Sequence, residues 1–148
     1  MKTVDYPSEQ ISGSAKETTR LGKKLGGLLR PGSVVALSGG LGAGKTCFAK
    51  GIALALGIHE EITSPTYTIV CEYEGAVPLR HIDAYRLSGE ADFELMGGKE
   101  LVFGDHVVVI EWPEKISRFL PQNTIYVTIE ICGKKRTIRT RKTGSRRE

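Results

Sequence analysis

Long apolar runs, paired cysteines and a secretory leader are all missing from this sequence of 148 residues. Its longest uninterrupted apolar stretches are Val34–Leu37, Ile52–Leu56 and Val107–Ile110, whereas a membrane-spanning helix needs roughly 18 such residues. The first ten residues contain Asp5 and Glu9 and lack the apolar core of a signal peptide. We therefore expect a soluble, cytoplasmic protein that has no membrane partner.

Cysteine and histidine are too sparse and too scattered to form a disulfide framework or a zinc site. The chain has three cysteines, an odd number without a C-x-x-C pair, and three histidines with no ligand spacing between them. The simplest interpretation is reduced, buried or half-buried thiols. These residues are Cys47, Cys71 and Cys132, and His59, His81 and His106.

The basic charge is concentrated at the C-terminal end. The whole chain has a net charge of +4, but residues 134–148 contain eight Lys and Arg side chains and one acid, Glu148. Chain length and the 40% hydrophobic content fit one globular domain. We predict a single domain over residues 1–140 and a basic, flexible tail over residues 141–148, which is more often solvated than bound to nucleic acid.

Apolar patterning predicts helices alternating with strands. Ser14 and Glu17 have the spacing of a capping box, and leucines at helical intervals follow as far as Pro31-Gly32. The short β-branched runs Val34–Leu37 and Val107–Ile110 are typical of buried parallel strands. Further strands are predicted at 67–73, 79–85, 124–131 and 137–140, and further helices at 47–56, 88–96 and 113–120. This order favours an α/β domain, parallel at its centre and antiparallel at its C-terminal edge.

The most specific motif is a phosphate-binding loop between a predicted strand and a predicted helix. It reads Gly39-Gly40-Leu41-Gly42-Ala43-Gly44-Lys45-Thr46 and matches G-x-x-x-x-G-K-[ST]. Glycines allow backbone N–H groups to converge on phosphate oxygens at a helix N-terminus. Lys45 would contact the β- and γ-phosphates, and the Thr46 hydroxyl would bind Mg²⁺. We therefore expect a three-layer fold like that of P-loop NTPases.

Two acids follow predicted strands and are candidates for organising the metal and the attacking water. Asp83 ends one strand and Glu111 directly follows Val107–Ile110. The carboxyl ends of central strands form the ligand crevice of such a sheet. Spacing alone leaves open that either acid is a solvated carboxylate at a strand end.

The motifs argue against two other P-loop classes. A GTPase needs an N-K-x-D element, but the only asparagine, Asn123, precedes Thr124. A small kinase normally has an arginine-bearing lid, and the arginines between Ile62 and His106 are only Arg80 and Arg86. A small P-loop metabolite kinase and a non-hydrolysing nucleotide-sensing module both remain as alternatives.

Four motifs together resemble the bacterial TsaE (YjeE) family, the ATPase component of tRNA threonylcarbamoyladenosine synthesis. They are the loop Gly39–Thr46, Ser64-Pro65-Thr66-Tyr67-Thr68, His81-Ile82-Asp83-Ala84-Tyr85-Arg86-Leu87 and Glu111-Trp112-Pro113. The later three are weak individually, but their order and spacing are specific. Two departures are Gly40, where the family usually has Asp, and Cys47, where Thr is common.

The resemblance implies roles for individual residues. The loop would bind ATP through Gly39, Leu41, Gly42, Ala43, Gly44 and Lys45. Thr46 and Glu111 would hold Mg²⁺, and Asp83 would lie near the nucleotide. Residues 63–68 would form a segment that responds to the γ-phosphate. Ser14 and Ala15 would approach the adenine, and Glu114 and Arg136 would add nucleotide contacts. The role of Trp112 stays open between core packing and a contact with either the nucleotide side or a partner.

The resemblance also implies a function and partners. The protein would hydrolyse ATP with Mg²⁺ and act with a TsaD-type threonylcarbamoyl transferase and its TsaB-type partner, touching tRNA only indirectly or weakly. Lys45, Asp83 and Glu111 would be the catalytic residues. We expect slow hydrolysis by the protein alone, since the sequence shows no obvious arginine finger.

Overall fold

The computed structural model describes residues 6–62 and 69–142, and the predicted γ-phosphate-responsive segment at 63–68 lies outside them. Within these ranges, strands and helices alternate as an α/β domain. In chain order the elements are β1 (Glu9–Ser12), α1 (Ala15–Gly26), β2 (Val34–Gly39), α2 (Lys45–Ala55), β3 (Val70–Tyr73), β4 (Leu79–Asp83), α3 (Glu90–Leu95), α4 (Gly98–Leu101), β5 (Val107–Glu111), a 3₁₀ helix (Pro113–Phe119), β6 (Ile125–Cys132) and β7 (Lys135–Lys142).

The strands form one mixed sheet in the order β1-β7-β6-β2-β5-β4-β3. β6, β2, β5 and β4 pair in parallel, while β7 is antiparallel to β6. The predicted parallel centre and antiparallel C-terminal edge are therefore confirmed. The opposite edge is antiparallel as well, because β3 and β4 form a hairpin.

Both faces of the central strands are buried, which explains their continuous apolar runs. Val35, Leu37 and Val109 belong to the core beneath α1 and α2. Val34, Val108 and Ile110 belong to a second core that contains Phe93 of α3 and Ile116 of the 3₁₀ helix. The residue-by-residue alternation of the strands thus produces three layers, with the sheet in the middle.

Helices α1 and α2 approach each other through glycines. A Cβ added at Gly22 would lie 2.2 Å from the Phe48 carbonyl oxygen, and one at Gly51 would lie 2.0 Å from that of Thr19. Gly26 at the end of α1 would similarly meet the backbone of Ile52. These glycines bring the two backbones together and fix the helix that begins at Lys45 against the rest of the layer.

The start of α1 was predicted correctly and its end was not. Ser14 Oγ accepts the Glu17 N–H at 3.0 Å, as a capping box requires, while the Glu17 carboxylate accepts from the Gly13 N–H at 2.8 Å. The helix stops at Gly26, before the predicted Pro31-Gly32. Gly27 is its C-cap, and the next N–H groups, of Leu28 and Leu29, bond carbonyls three residues back rather than four.

Three other local predictions also need correction. Helix α3 begins at Glu90 rather than at residue 88, with Gly89 as its N-cap, and Ser88 donates its N–H and hydroxyl to Asp92. The segment after Trp112 is a 3₁₀ helix. β7 extends to Lys142, where Arg141 and Lys142 pair with Tyr126 and Ile125. The predicted tail therefore cannot begin at residue 141, and residues 143–148 lie outside the described structure.

No helix within residues 6–62 and 69–142 is both long enough and apolar enough to cross a membrane.

Candidate nucleotide-binding site

The predicted phosphate-binding loop connects β2 directly to α2. Its glycines adopt backbone conformations that other residues rarely take: φ is 78° at Gly42 and 110° at Gly44, the N-cap of α2. A left-handed N-cap turns successive N–H groups towards the space above the helix. Because this space also faces the positive end of the helix dipole, the loop is suited to a phosphate group.

Lys45, the first residue of α2, is folded back over the loop. Its Nζ donates to the Gly39 carbonyl at 2.5 Å and to the Gly40 carbonyl at 3.3 Å, and only 7% of the residue is exposed. The ammonium also lies 4.3 Å from the centre of the Trp112 ring. Burial lowers the pKa of Lys45, and the nearby carboxylates, led by Glu111 and Asp83, act in the opposite direction.

Asp83 and Glu111 end two adjacent parallel strands and are paired in register. Asp83 Oδ1 accepts the Tyr85 N–H at 3.0 Å. Burial raises the pKa of the Asp83 carboxyl, and the negative charge of Glu111 adds to this rise. Glu111 is 3% exposed and contacts the buried His81 ring. The two candidate acids therefore meet at the carboxyl end of the sheet, as their positions after strands predicted.

These groups surround one cavity of about 350 Å³. The loop, both acids and two aromatic residues share it, so phosphate-binding backbone, a cation and carboxylates face a common space. The donor set fits a magnesium ion bound beside phosphates, since hydroxyl and carboxylate oxygens are the ligands that Mg²⁺ prefers. The cavity is lined by Gly40, Leu41, Gly42, Ala43, Gly44, Lys45, Thr46, Cys47, Asp83, Tyr85, Glu111 and Trp112.

The sequence assigns no site role to Tyr85 and leaves the role of Trp112 open. Trp112 has φ 58° and ψ 51°, the only left-handed backbone among the described non-glycine residues. Its ring packs on Tyr85, with 4.9 Å between the ring centres. A left-handed tryptophan is strained, and here the ring lies over Lys45 while it also packs against the second core. The sequence signals that could have indicated a site role are the E-W-P motif for Trp112 and the H-x-D-x-Y motif for Tyr85.

The remaining predicted nucleotide contacts are not among the residues that line the cavity. Arg136 of β7 donates from Nε to the Ala43 carbonyl at 3.1 Å and from Nη2 to the Gly42 carbonyl at 3.4 Å, so it braces the loop. Ser14 and Ala15 begin α1, and one turn later Thr18 approaches the loop: a Cβ at Gly44 would lie 3.6 Å from its Cγ2. Glu114 is exposed in the 3₁₀ helix and contributes to the field at Lys45.

A strand, a glycine-rich loop with a buried lysine, a helix and two strand-end carboxylates define a nucleotide-binding protein of the P-loop class. The profile of one family, described as threonylcarbamoyl adenosine biosynthesis protein TsaE, matches residues 12–142. The chain belongs to the TsaE family, and the resemblance noted in its motifs is confirmed.

Individual relatives agree with this assignment. The chain is 50% identical over 123 residues to the tRNA threonylcarbamoyladenosine biosynthesis protein TsaE of Treponema pallidum, a match that covers 83% of this chain and 91% of the relative. It is 41% identical to the Bacillus subtilis protein of the same name, over 80% and 74% of the two chains. The crystal structure of Bacillus subtilis YdiB superimposes with a TM-score of 0.75 at 35% identity, covering 92% of this chain and 85% of that one.

Proposed function

We propose that the protein binds and hydrolyses ATP with Mg²⁺ in the formation of N6-threonylcarbamoyladenosine in tRNA. The observation that carries this proposal is the shared cavity of the phosphate-binding loop, Lys45 and the two strand-end acids. Family membership supplies the pathway. It also supports a TsaD-type threonylcarbamoyl transferase and a TsaB-type protein as partners, with tRNA contacted weakly or through them.

ATP binding requires Lys45 to exchange partners. Its ammonium now bonds the Gly39 and Gly40 carbonyls and stacks on Trp112. Phosphate oxygens would replace these neutral acceptors with stronger, charge-assisted bonds. The loop N–H groups would take the remaining phosphate oxygens, and Arg136 would hold the loop backbone from behind through Ala43. The nucleotide contacts of Ser14, Ala15, Glu114 and Arg136 are part of the same proposal.

Thr46 and Glu111 would hold the magnesium ion, and Asp83 would orient the attacking water on the same side of the cavity. When bound, the ion neutralises charge on the β- and γ-phosphates. Burial raises the pKa of Asp83 and the negative charge of Glu111 adds to the rise, and a cation held by Glu111 would offset that charge. The site is therefore best suited to a nucleotide that binds as its magnesium complex.

Hydrolysis by the protein alone should be slow. No arginine is among the residues that line the cavity in the described structure, and an arginine at the transferring phosphoryl group accelerates such reactions by about 10³–10⁵. The missing stabilisation would come from partner proteins or from the order they impose on the site. This dependence on partners distinguishes the proposed protein from an ATPase that is fully active alone.

The test is release of inorganic phosphate from ATP, with and without the purified transferase and its partner, alongside analysis for phosphorylated small molecules. We expect slow release that the partners stimulate, with no phosphorylated acceptor. A phosphorylated acceptor would instead identify a kinase, and nucleotide-dependent partner binding without phosphate release would identify a sensing module. The K45A variant is the control for the site: it should fold normally but lose about 10–100-fold in ATP affinity, the value of one charge-assisted bond.

A further inference from the structure

The sheet buries an imidazole directly against Glu111. His81 Nε2 lies 2.8 Å from Glu111 Oε2, and the side chains are 0% and 4% exposed. A carboxylate that binds a metal ion only accepts hydrogen bonds, so with Glu111 in that role the donor of this contact is the His81 Nε2–H group. The His81 ring therefore fixes one oxygen of the carboxylate that faces the cavity.

Strand register brings these two side chains together. His81 of β4 is paired with Val109 of β5, and Asp83 is paired with Glu111. Because side chains alternate between the faces of a strand, His81, Val109 and Glu111 lie on the same face of the sheet. The contact is a diagonal one between two adjacent strands, and both side chains are buried.

Packing alone does not account for an imidazole at this position. His81 Nδ1 is buried and has no hydrogen-bond partner among the described residues. An unpartnered buried polar atom destabilises a fold, and an apolar side chain like those of Leu79 and Val109 would avoid that loss. The feature that only the imidazole provides here is a donor aimed at Glu111.

We propose that His81 is a positioning residue that holds the Glu111 carboxylate in the orientation required at the nucleotide–magnesium site. This inference rests on the proposed function, in which Glu111 is a magnesium ligand. Removing the hydrogen-bond partner behind a metal-binding side chain typically lowers metal affinity about 10–100-fold. His81 acts through Glu111 and needs no contact with the nucleotide.

The experiment measures binding of a fluorescent ADP analogue to the full chain, titrated with Mg²⁺ and repeated in EDTA. H81L removes the donor, whereas H81Q retains an N–H group at a similar distance from the backbone. V109A is the matched control, since it perturbs the packing beside His81 on the same face without removing a polar group. E111Q and the double variant H81L/E111Q complete a mutant cycle.

We expect H81L to raise the Mg²⁺ concentration for half-maximal binding about tenfold, with affinity in EDTA unchanged. H81Q and V109A should stay within about threefold of the parent protein, and H81L should add less than about twofold to E111Q. If H81L does not fold, H81N, whose amide is too short to reach Glu111, replaces it. An unchanged Mg²⁺ requirement in H81L or H81N, or the same increase in V109A, would overturn the proposal.

The mutant cycle also separates this inference from the function it rests on. If E111Q leaves the Mg²⁺ requirement unchanged, the metal role of Glu111 fails and the positioning role of His81 fails with it. If E111Q raises the requirement and H81L does not, only the positioning role is overturned. A full additive effect of H81L in the double variant would likewise overturn it, because His81 would then act independently of Glu111.

Discussion

At the scale of single residues, Glu111 and Asp83 are chemically similar but differently placed. Glu111 is almost fully buried and held by His81, whereas Asp83 is partly exposed and bonded to the Tyr85 N–H. We expect E111Q to weaken Mg²⁺-dependent nucleotide binding at least about tenfold and hydrolysis with it. D83N should depress hydrolysis more than binding. Mg²⁺ titration of a bound fluorescent nucleotide distinguishes the two, and a shift confined to D83N would reverse our assignment.

Asp83 also makes the stability of the protein depend on pH. Burial raises the pKa of its carboxyl in the folded state, so the stabilisation given by the protonated form is complete below the unfolded pKa. This stabilisation is lost as the pH rises through the pKa of Asp83 in the folded state. D83N keeps an acceptor for the Tyr85 N–H without the charge. It should melt at a higher temperature than the parent protein at pH 7–8, and the gain should shrink as the pH falls to about 4.

Asp92 is the matched control for this effect. The Ser88 hydroxyl and N–H lower the pKa of the Asp92 carboxyl, so its charged form stabilises the fold above the unfolded pKa and the contribution is lost in acid. D92N should therefore melt no higher than the parent protein at pH 7–8. Equal stabilisation by both variants would show that general charge reduction, rather than burial of Asp83, is responsible.

At the scale of elements, the contact between α1 and α2 depends on the absence of side chains. A Cβ at Gly51 would lie 2.0 Å from the Thr19 carbonyl oxygen and 2.5 Å from the Lys23 nitrogen. We expect G51A to destabilise the fold by about 1–3 kcal/mol, the usual effect of overpacking, despite the better helix propensity of alanine. Chemical denaturation would measure it.

Gly27 provides the comparison, because it caps α1 with φ −67° and an added Cβ would meet only the Lys24 and Lys23 carbonyl oxygens, at 3.6 and 3.7 Å. G27A should be neutral or stabilise by up to about 1 kcal/mol. A loss in G27A as large as that in G51A would mean that the helix contact is not the cause.

At the scale of the whole molecule, the C-terminal strand belongs to the domain further than the sequence predicted. Thr140, Arg141 and Lys142 pair with β6, and the Thr140 N–H bonds the Ser8 carbonyl at 2.9 Å. Truncation after Arg139 should cost about 1–3 kcal/mol through these lost hydrogen bonds. Truncation after Lys142 should leave stability, ATP hydrolysis and partner binding unchanged. Thermal melting and phosphate release measure both forms.

A role for residues 143–148 in attracting tRNA would contradict the prediction that the basic C-terminal end is solvated. Arg146 and Arg147 would then contact phosphates, and such contacts weaken steeply with salt. Loss of tRNA modification in the form that ends at Lys142, seen at low salt and absent at moderate salt, would assign these residues an RNA-binding role.

Local patterns were enough to predict the central architecture and the loop. Continuous apolar runs indicated β2 and β5, and the glycine-rich motif predicted the loop that joins β2 to α2. Strand β1, Glu9–Ser12, carries no such pattern, because one of its four residues is buried and its structure depends on pairing with β7. The His81–Glu111 contact joins residues 30 positions apart and follows only from the register of β4 and β5, which no local signal specifies.

Because Lys45 stacks on Trp112, we expect the intrinsic tryptophan fluorescence of this protein to report on nucleotide binding. Trp112 is the chain's single tryptophan, and its ring lies 4.3 Å from the Lys45 ammonium, which in the proposed function moves when phosphate binds. Indole emission responds to nearby charge, so the intrinsic fluorescence of the unlabelled protein should change when nucleotide draws Lys45 away. The K45A protein should already emit differently before nucleotide is added, and should show little further change afterwards.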